Sequence, residues 1–265
     1  MQLFTCRSGA SPLLVSMPHV GTHIPDALAQ RMTPAALALP DTDWHLERLY
    51  DFLDGLGASV LVATHSRYVI DLNRAPDNVN LYPGQDSTGL CPVDTFAREP
   101  VYVEGAEPPD AEIEARVGAC WRPYHDQLQA QLARLRRAHG FALLWDAHSI
   151  LSHVPRFFAG RLPDINLGTA DGKSCGAGIG EALLATAARS HDYRAVLNGR
   201  FKGGYITRQY GDPAAGVHAV QLELAEATYM QERAPYEFSE ILAMRVRPQI
   251  RALLEEFLRL APAAR

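Results

Sequence analysis

Cysteine, clustered positive charge and long apolar runs are what this 265-residue chain has least of. Its four cysteines, Cys6, Cys91, Cys120 and Cys175, lie far apart and form no C-x-x-C pair, which excludes a disulfide framework or thiolate zinc site. They read as free, mostly buried thiols in a reducing compartment. No five consecutive residues are Lys or Arg, and 30 acids outnumber 25 bases for a net charge of -5. Nucleic acid, which demands concentrated positive charge, is therefore not the expected partner. The apolar stretches at 59–63 and 141–145 fall far short of the roughly 20 residues that span a bilayer. The segment Met1-Gln2-Leu3-Phe4-Thr5 has neither the basic start nor the apolar middle of a secretory leader, so a cytoplasmic protein is expected. Internal repeats and low-complexity tracts are missing too.

What is present is a chain that is 47% hydrophobic, long enough to bury roughly 73% of its extended surface in a core of its own. Its apolar periodicity alternates between short β-leaning runs and amphipathic stretches, the pattern of an α/β domain. The runs are 12–16, 59–64, 67–72, 141–146, 164–167 and 218–224. Helices are expected over 41–56, with Asp41 or Thr42 as N-cap, over 110–139 with a break at Pro123, over 178–189, and over 237–260 with a break at Pro248. Residues 75–110 are rich in Pro, Asp and Gly and too long for a plain connection, which marks a loop that covers or shapes a site. The expectation is one domain over 1–265, a mostly parallel mixed sheet flanked by helices, with the loop-rich insertion at about 75–110.

In open α/β sheets ligands gather beyond the carboxyl ends of strands. Here Leu13-Leu14-Val15 runs into Ser16-Met17-Pro18-His19, and Phe141 to Trp145 runs into Asp146-Ala147-His148-Ser149. A third run, Val220-Gln221-Leu222-Glu223, carries an acid inside an apolar segment, where an unpartnered carboxylate is costly. Two histidines as ligands and Glu223 as general base make a catalytic metal site of the kind that leaves one position for water. The helical H-E-x-x-H signature is absent. The third ligand is open among Asp43, His23 and His45.

Two further constellations carry cations. In Arg67-Tyr68-Val69-Ile70-Asp71-Leu72-Asn73-Arg74, arginine offers a planar, bidentate match to a carboxylate, with Asn73 beside it. The stretch 198–208 sets Arg200, Lys202 and Arg208 around Gly203-Gly204, where glycine permits close approach of backbone to ligand. A rival chemistry sits at Gly172-Lys173-Ser174-Cys175-Gly176, which matches G-x-S-x-G. It would make Ser174 a nucleophile with His218 and Asp192 or Asp212, but the strand before it ends near Leu167 instead of feeding the turn. A non-catalytic module that captures an acidic metabolite is the remaining class.

Seven segments taken in order, Ser16–Gly21, Asp41–Trp44, Ser66–Arg74, Trp145–Ser149, Asn166–Thr169, Phe201–Tyr205 and Gln221–Leu224, resemble the N-formylglutamate deformylase (N-formylglutamate amidohydrolase) family over about residues 10–235. The resemblance implies a zinc-exopeptidase-like α/β fold and hydrolysis of N-formyl-L-glutamate, a small acidic substrate, to formate and L-glutamate in histidine degradation. In the wider superfamily a Glu follows the first His ligand by three residues; here that position is Thr22. The resemblance thus implies one divalent metal, Zn first, on His19, Asp43 and His148, with Glu223 as base and Asn73-Arg74 holding a substrate carboxylate. Lys202, Gly203 and Arg208 are candidates for the second carboxylate, and Arg67 for a carboxylate or the oxyanion. A sister amidohydrolase with another N-acyl amino acid as substrate shares the pattern.

Overall fold

A computed structural model describes residues 2–80 and 84–260. Met1 and 261–265 of the expected 1–265 domain, and 81–83 of the 75–110 stretch, lie outside the described residues. Seven strands, β1 (Phe4–Arg7), β2 (Leu13–Met17), β3 (Ser59–Ala63), β4 (Ala142–Ile150), β5 (Ile165–Gly168), β6 (Ala195–Leu197) and β7 (Val217–Ala225), form one sheet in the order β1-β3-β2-β4-β7-β5-β6. The central ladders β3-β2, β2-β4 and β4-β7 are parallel, whereas β1 and β5 run antiparallel to β3 and β7. This is the mixed, mostly parallel sheet of the sequence reading.

Helices α1 (Asp26–Ala29), α2 (Pro34–Leu37), α3 (Leu46–Leu49), α4 (Asp110–Arg116), α5 (Arg122–His139), α6 (Ile179–Ala187), α7 (Tyr205–Tyr210) and α8 (Glu240–Leu260) flank it. Central strands buried on both faces must carry apolar side chains in both directions. Val15, Leu143, Trp145, Val220 and Leu222 pack with the residues of α3, α6 and α8 on one face. On the other, Leu14, Leu61, Leu144 and Ala219 pack under α5 and the Ile206 of α7. None of the described helices is long and apolar enough to cross a membrane.

Several elements differ from the sequence reading. Residues 67–72 form turns, not a strand: the Ser66 hydroxyl accepts from the Tyr68 N–H, and the Asp71 carboxylate from the Asn73 N–H. Such local side-chain bonds offer the backbone an alternative to a ladder. The expected 41–56 helix is only α3 and a 3-10 turn at Leu53–Leu56. Asp41 caps neither; its carboxylate accepts from the Tyr68 hydroxyl and the Phe96 N–H instead. Pro123 sits at the start of α5, after a π-helical turn at Val117–Trp121, so the break falls where it was expected. Pro248 does not break α8. The carbonyl it leaves without an N–H partner belongs to Met244, which is exposed and open to water. The short strands β1 and β6 were not read from the sequence.

Candidate metal centre and active site

The strand order reverses between β2 and β4: from β2 the chain passes to β3 on one side, and from β4 it continues toward β7 on the other. Crevices form at such switch points, and here β4 also outruns β2. The last β2-β4 pair is Ser16↔Asp146, while β4 continues to Ile150, leaving an overhang on which His148 stands. Side chains alternate across a sheet, and the register pairs Asp146↔Gln221 and His148↔Glu223 put these four on the α5/α7 face. His19 arrives from the turn after β2. Asp43 is brought beside it by its own N–H, which donates to the His19 carbonyl at 3.1 Å.

His19, Asp43 and His148 are all buried, and each offers a ligand atom within 4.8 Å of the others. Asp43 Oδ2 lies 3.0 Å from His148 Nδ1 and 3.8 Å from His19 Nδ1. Behind each ring stands another carboxylate: Asp71 Oδ1 is 2.7 Å from His19 Nε2, and Asp146 Oδ2 is 3.1 Å from His148 Nε2. An Nε2–H given to the outer carboxylate leaves the Nδ1 lone pairs converging with a carboxylate oxygen, which is the donor set and outer support of a divalent cation. The residues therefore fit such an ion. The other candidates for the third ligand are turned elsewhere. His23 packs edge-on against His65 with centroids 4.7 Å apart, His45 Nε2 meets the Tyr236 carbonyl at 2.7 Å, and Thr22 is exposed.

Charge in this cluster is set by neighbours as much as by burial. Burial, seconded by the Arg67 guanidinium, lowers the pKa of His19. Burial resists ionisation of Asp71, but His19 and Arg67 hold it well below the ordinary carboxylate range. For His148 burial opposes the charged form, yet Asp146 and Asp43 prevail and raise its pKa well above the usual imidazole value. Glu223 is pushed up to about 8 by burial, against the pull of His148. Its Oε2 accepts from the Gln221 amide at 3.2 Å, and Gln221 in turn accepts the Gly204 N–H at 2.7 Å.

Arg67 is buried, with NH2 on Asp71 Oδ2 at 2.7 Å and its guanidinium 4.8 Å over the Phe96 ring. Its Nε has no hydrogen-bond partner among the described residues. Asn73 is buried too: its amide nitrogen is 2.9 Å from His148 Nε2 and 3.3 Å from Asp146 Oδ2, and its oxygen accepts the Ile206 N–H. With the His148 Nε2–H turned to Asp146, the Asn73 amide acts on the ring through Asp146 Oδ2, to which it donates. Gly204 makes that seat possible, because a Cβ there would fall 2.4 Å from the Asn73 amide nitrogen. Arg74 is anchored through Nε on the Thr88 carbonyl at 3.0 Å.

One cleft is lined by His19, His148 and Glu223 together with Arg67, Arg74 and Arg200. Ligand sites combine apolar walls with a few convergent polar groups. Lys202, Gly203 and Arg208 are not among the described residues that line it; Lys202 pairs with Asp171, and Arg208 Nε donates to the Gly203 carbonyl. Arg200, two residues before Lys202, does line the cleft. Ser174 is a core residue whose hydroxyl donates to the Ala219 carbonyl at 2.7 Å, and His218 Nδ1 accepts the Gly176 N–H. Asp212 accepts from the Ala215 N–H, and none of these residues lines the cleft.

The profile of a family described as N-formylglutamate amidohydrolase matches residues 11–230. Proteins named N-formylglutamate deformylase from Pseudomonas putida and Pseudomonas aeruginosa are 49% and 51% identical to the chain over 257 residues, covering 97% of it and 96% of each relative. A crystal structure of N-formylglutamate amidohydrolase from Ralstonia eutropha JMP134 superposes with a TM-score of 0.81 at 25% identity, covering 100% of this chain and 98% of that one. A gene product of Agrobacterium tumefaciens shares the fold, with a TM-score of 0.72 at 19% identity over 98% of this chain and 96% of that one.

Proposed function

The chain belongs to the N-formylglutamate amidohydrolase family, and on that premise we propose that it hydrolyses N-formyl-L-glutamate to formate and L-glutamate in a metal-dependent reaction. The observation that carries the metal-dependent reading is the convergence of His19, Asp43 and His148 opposite Glu223 in a cleft lined by arginines. His19, Asp43 and His148 would hold the ion, zinc being the first expectation from two imidazoles and a carboxylate. Bound there, it supplies Lewis-acid polarisation of the formyl carbonyl and a lowered pKa for the attacking water.

The remaining work falls to the chain. Glu223, at the same register as His148, takes a proton from the water and hands it to the departing amine nitrogen. Arg67, locked on Asp71 and reaching the Asp41 carbonyl through NH1, lends its positive charge to the oxygen on which charge develops. Asp71 and Asp146 fix the two imidazoles, and Asn73 supports the second of these carboxylates by donating to Asp146 Oδ2. Arg74, next in sequence to Asn73, holds the substrate's α-carboxylate, which shares a carbon with the scissile amide and must stay near the catalytic end. The 75–110 segment supplies Asp86, Ser87 and Phe96 to the cleft wall and so shapes its mouth within the same domain. The physiological setting we propose is the cytoplasm, where formylglutamate arises in histidine degradation.

Formate release from N-formyl-L-glutamate, followed before and after dialysis against a chelator, tests this reading. Activity should vanish on chelation and return with about one equivalent of Zn2+ per chain. Undiminished activity in a protein shown by elemental analysis to be metal-free would refute the metal-dependent mechanism.

A further inference from the structure

We infer that the Tyr229 hydroxyl is a positioning group for the metal: it ties the segment that carries Asp43 to the strand that carries His148. This rests on the metal-binding reading of His19, Asp43 and His148 and deepens it. Those three ligands come from three separate stretches of chain, so a cation is held well only if something else holds the stretches together. His19 follows β2 and His148 stands on β4, but the β2-β4 ladder does not continue past Ser16↔Asp146. Asp43 lies in neither a helix nor a strand and has no ladder at all.

The backbone is pinned on each side of the Asp43 side chain. Its own N–H donates to the His19 carbonyl at 3.1 Å, which joins it to the first ligand. The carbonyl of the next residue, Trp44, accepts the Tyr229 hydroxyl at 2.8 Å. That same hydroxyl meets Ser149 Oγ at 2.8 Å, and Ser149 directly follows His148. One oxygen atom thus links the neighbour of the second ligand to the neighbour of the third. Tyr229 and Ser149 are both buried, so bulk water is kept from replacing these bonds. The phenol is itself fixed: the Tyr229 N–H donates to the Glu226 carbonyl at 3.0 Å in the 3-10 turn Glu226–Thr228 that ends β7, and the Tyr229 carbonyl accepts the Ser239 N–H at 2.9 Å. The anchor therefore leads back to the strand that carries Glu223. Contacts behind a ligand raise metal affinity by sparing the cost of ordering it when the ion binds. Tyr229 does not line the cleft, so a change there acts through ligand placement and not through the substrate.

The test is a thermodynamic cycle on metal affinity. Zinc-loaded wild type, Tyr229→Phe, Ser149→Ala and the double variant are titrated with a competing chelator to give Kd for Zn2+, and Tm is measured with and without the ion. Tyr229→Phe keeps the ring and removes only the hydroxyl, while Ser149→Ala cuts the other leg of the same bridge. Each should raise Kd by about 10-fold, the smaller end of what losing a contact behind a metal ligand costs. The double variant should bind no more weakly than Tyr229→Phe alone, because a bridge cut once is already cut. Losses that multiply to about 100-fold in the double variant mean two independent contacts and overturn the inference. An unchanged Kd, with Tm lowered equally in zinc-loaded and metal-free protein, overturns it as well, because that marks a role in stability alone. Both of these results leave the metal-dependent reading standing. Wild type that shows no Zn2+ binding sinks that reading and this inference together.

Discussion

On the floor of the cleft His148 and Glu223 are neighbours because β4 and β7 run in parallel register from Ala142↔Val217 to Ile150↔Ala225. At the mouth, Arg200, Phe157 and Asp86 meet because three loops lean on one another through a guanidinium, two rings and two carbonyls. A strand ladder distributes any disturbance over many backbone hydrogen bonds, whereas each loop contact stands nearly alone. The lesson is a division of labour: backbone pairing places His148 and Glu223, and side-chain contacts between loops place Arg200 and Phe157.

The strongest way to sharpen that contrast is Glu223→Gln. It keeps the shape of the floor and removes the base, so kcat should fall by about 10³–10⁴-fold with the metal content by elemental analysis unchanged. An accompanying loss of metal would mean that Glu223 supports the ion, which breaks the division within the floor itself. Next in size is Asp71→Asn, which leaves His19 in place and weakens what stands behind it. Metal affinity measured by chelator competition should drop by about 10- to 100-fold. The smallest effect belongs to the mouth. Phe157→Leu removes one ring from beneath Arg200 and keeps the backbone carbonyl, so KM for N-formylglutamate should rise by about two- to fivefold at constant kcat. A change in kcat as large as that in KM would erase the distinction between mouth and floor.

Much of the floor was legible in the sequence. The apolar runs that became β2, β4 and β7 each end in, or contain, one of His19, His148 and Glu223, and the rule that ligands gather at carboxyl ends needs no tertiary information. Asp43 was open to His23 and His45 on spacing alone; only the backbone bond from Asp43 to His19 and the side contacts of the two histidines separate them. The mouth was much less legible. Val69, Ile70 and Leu72 look like a strand because they are buried, yet Ser66 and Asp71 bend the chain with their own side chains. Lys202 and Arg208 were preferred over Arg200 although all three lie in one run of sequence. What separates them is which aromatic side chains stand nearby, and Phe157 is remote along the chain from Arg200. The signal that was available was Arg200-Phe201 itself, a cation beside a ring.

The overhang of β4 past β2 has an implication for how the length of this chain can change. Successive residues of a strand face opposite ways, so inserting one residue between Leu144 and His148 would turn His148 toward the α3, α6 and α8 core and leave His19 and Asp43 without their third partner. The same insertion at Glu104 or Gly105, exposed and outside the cleft wall, would lengthen a surface loop and little else. Insertions and deletions among descendants of this sequence should therefore collect in the loops, and the distance along the chain from Leu144 to His148 should stay constant.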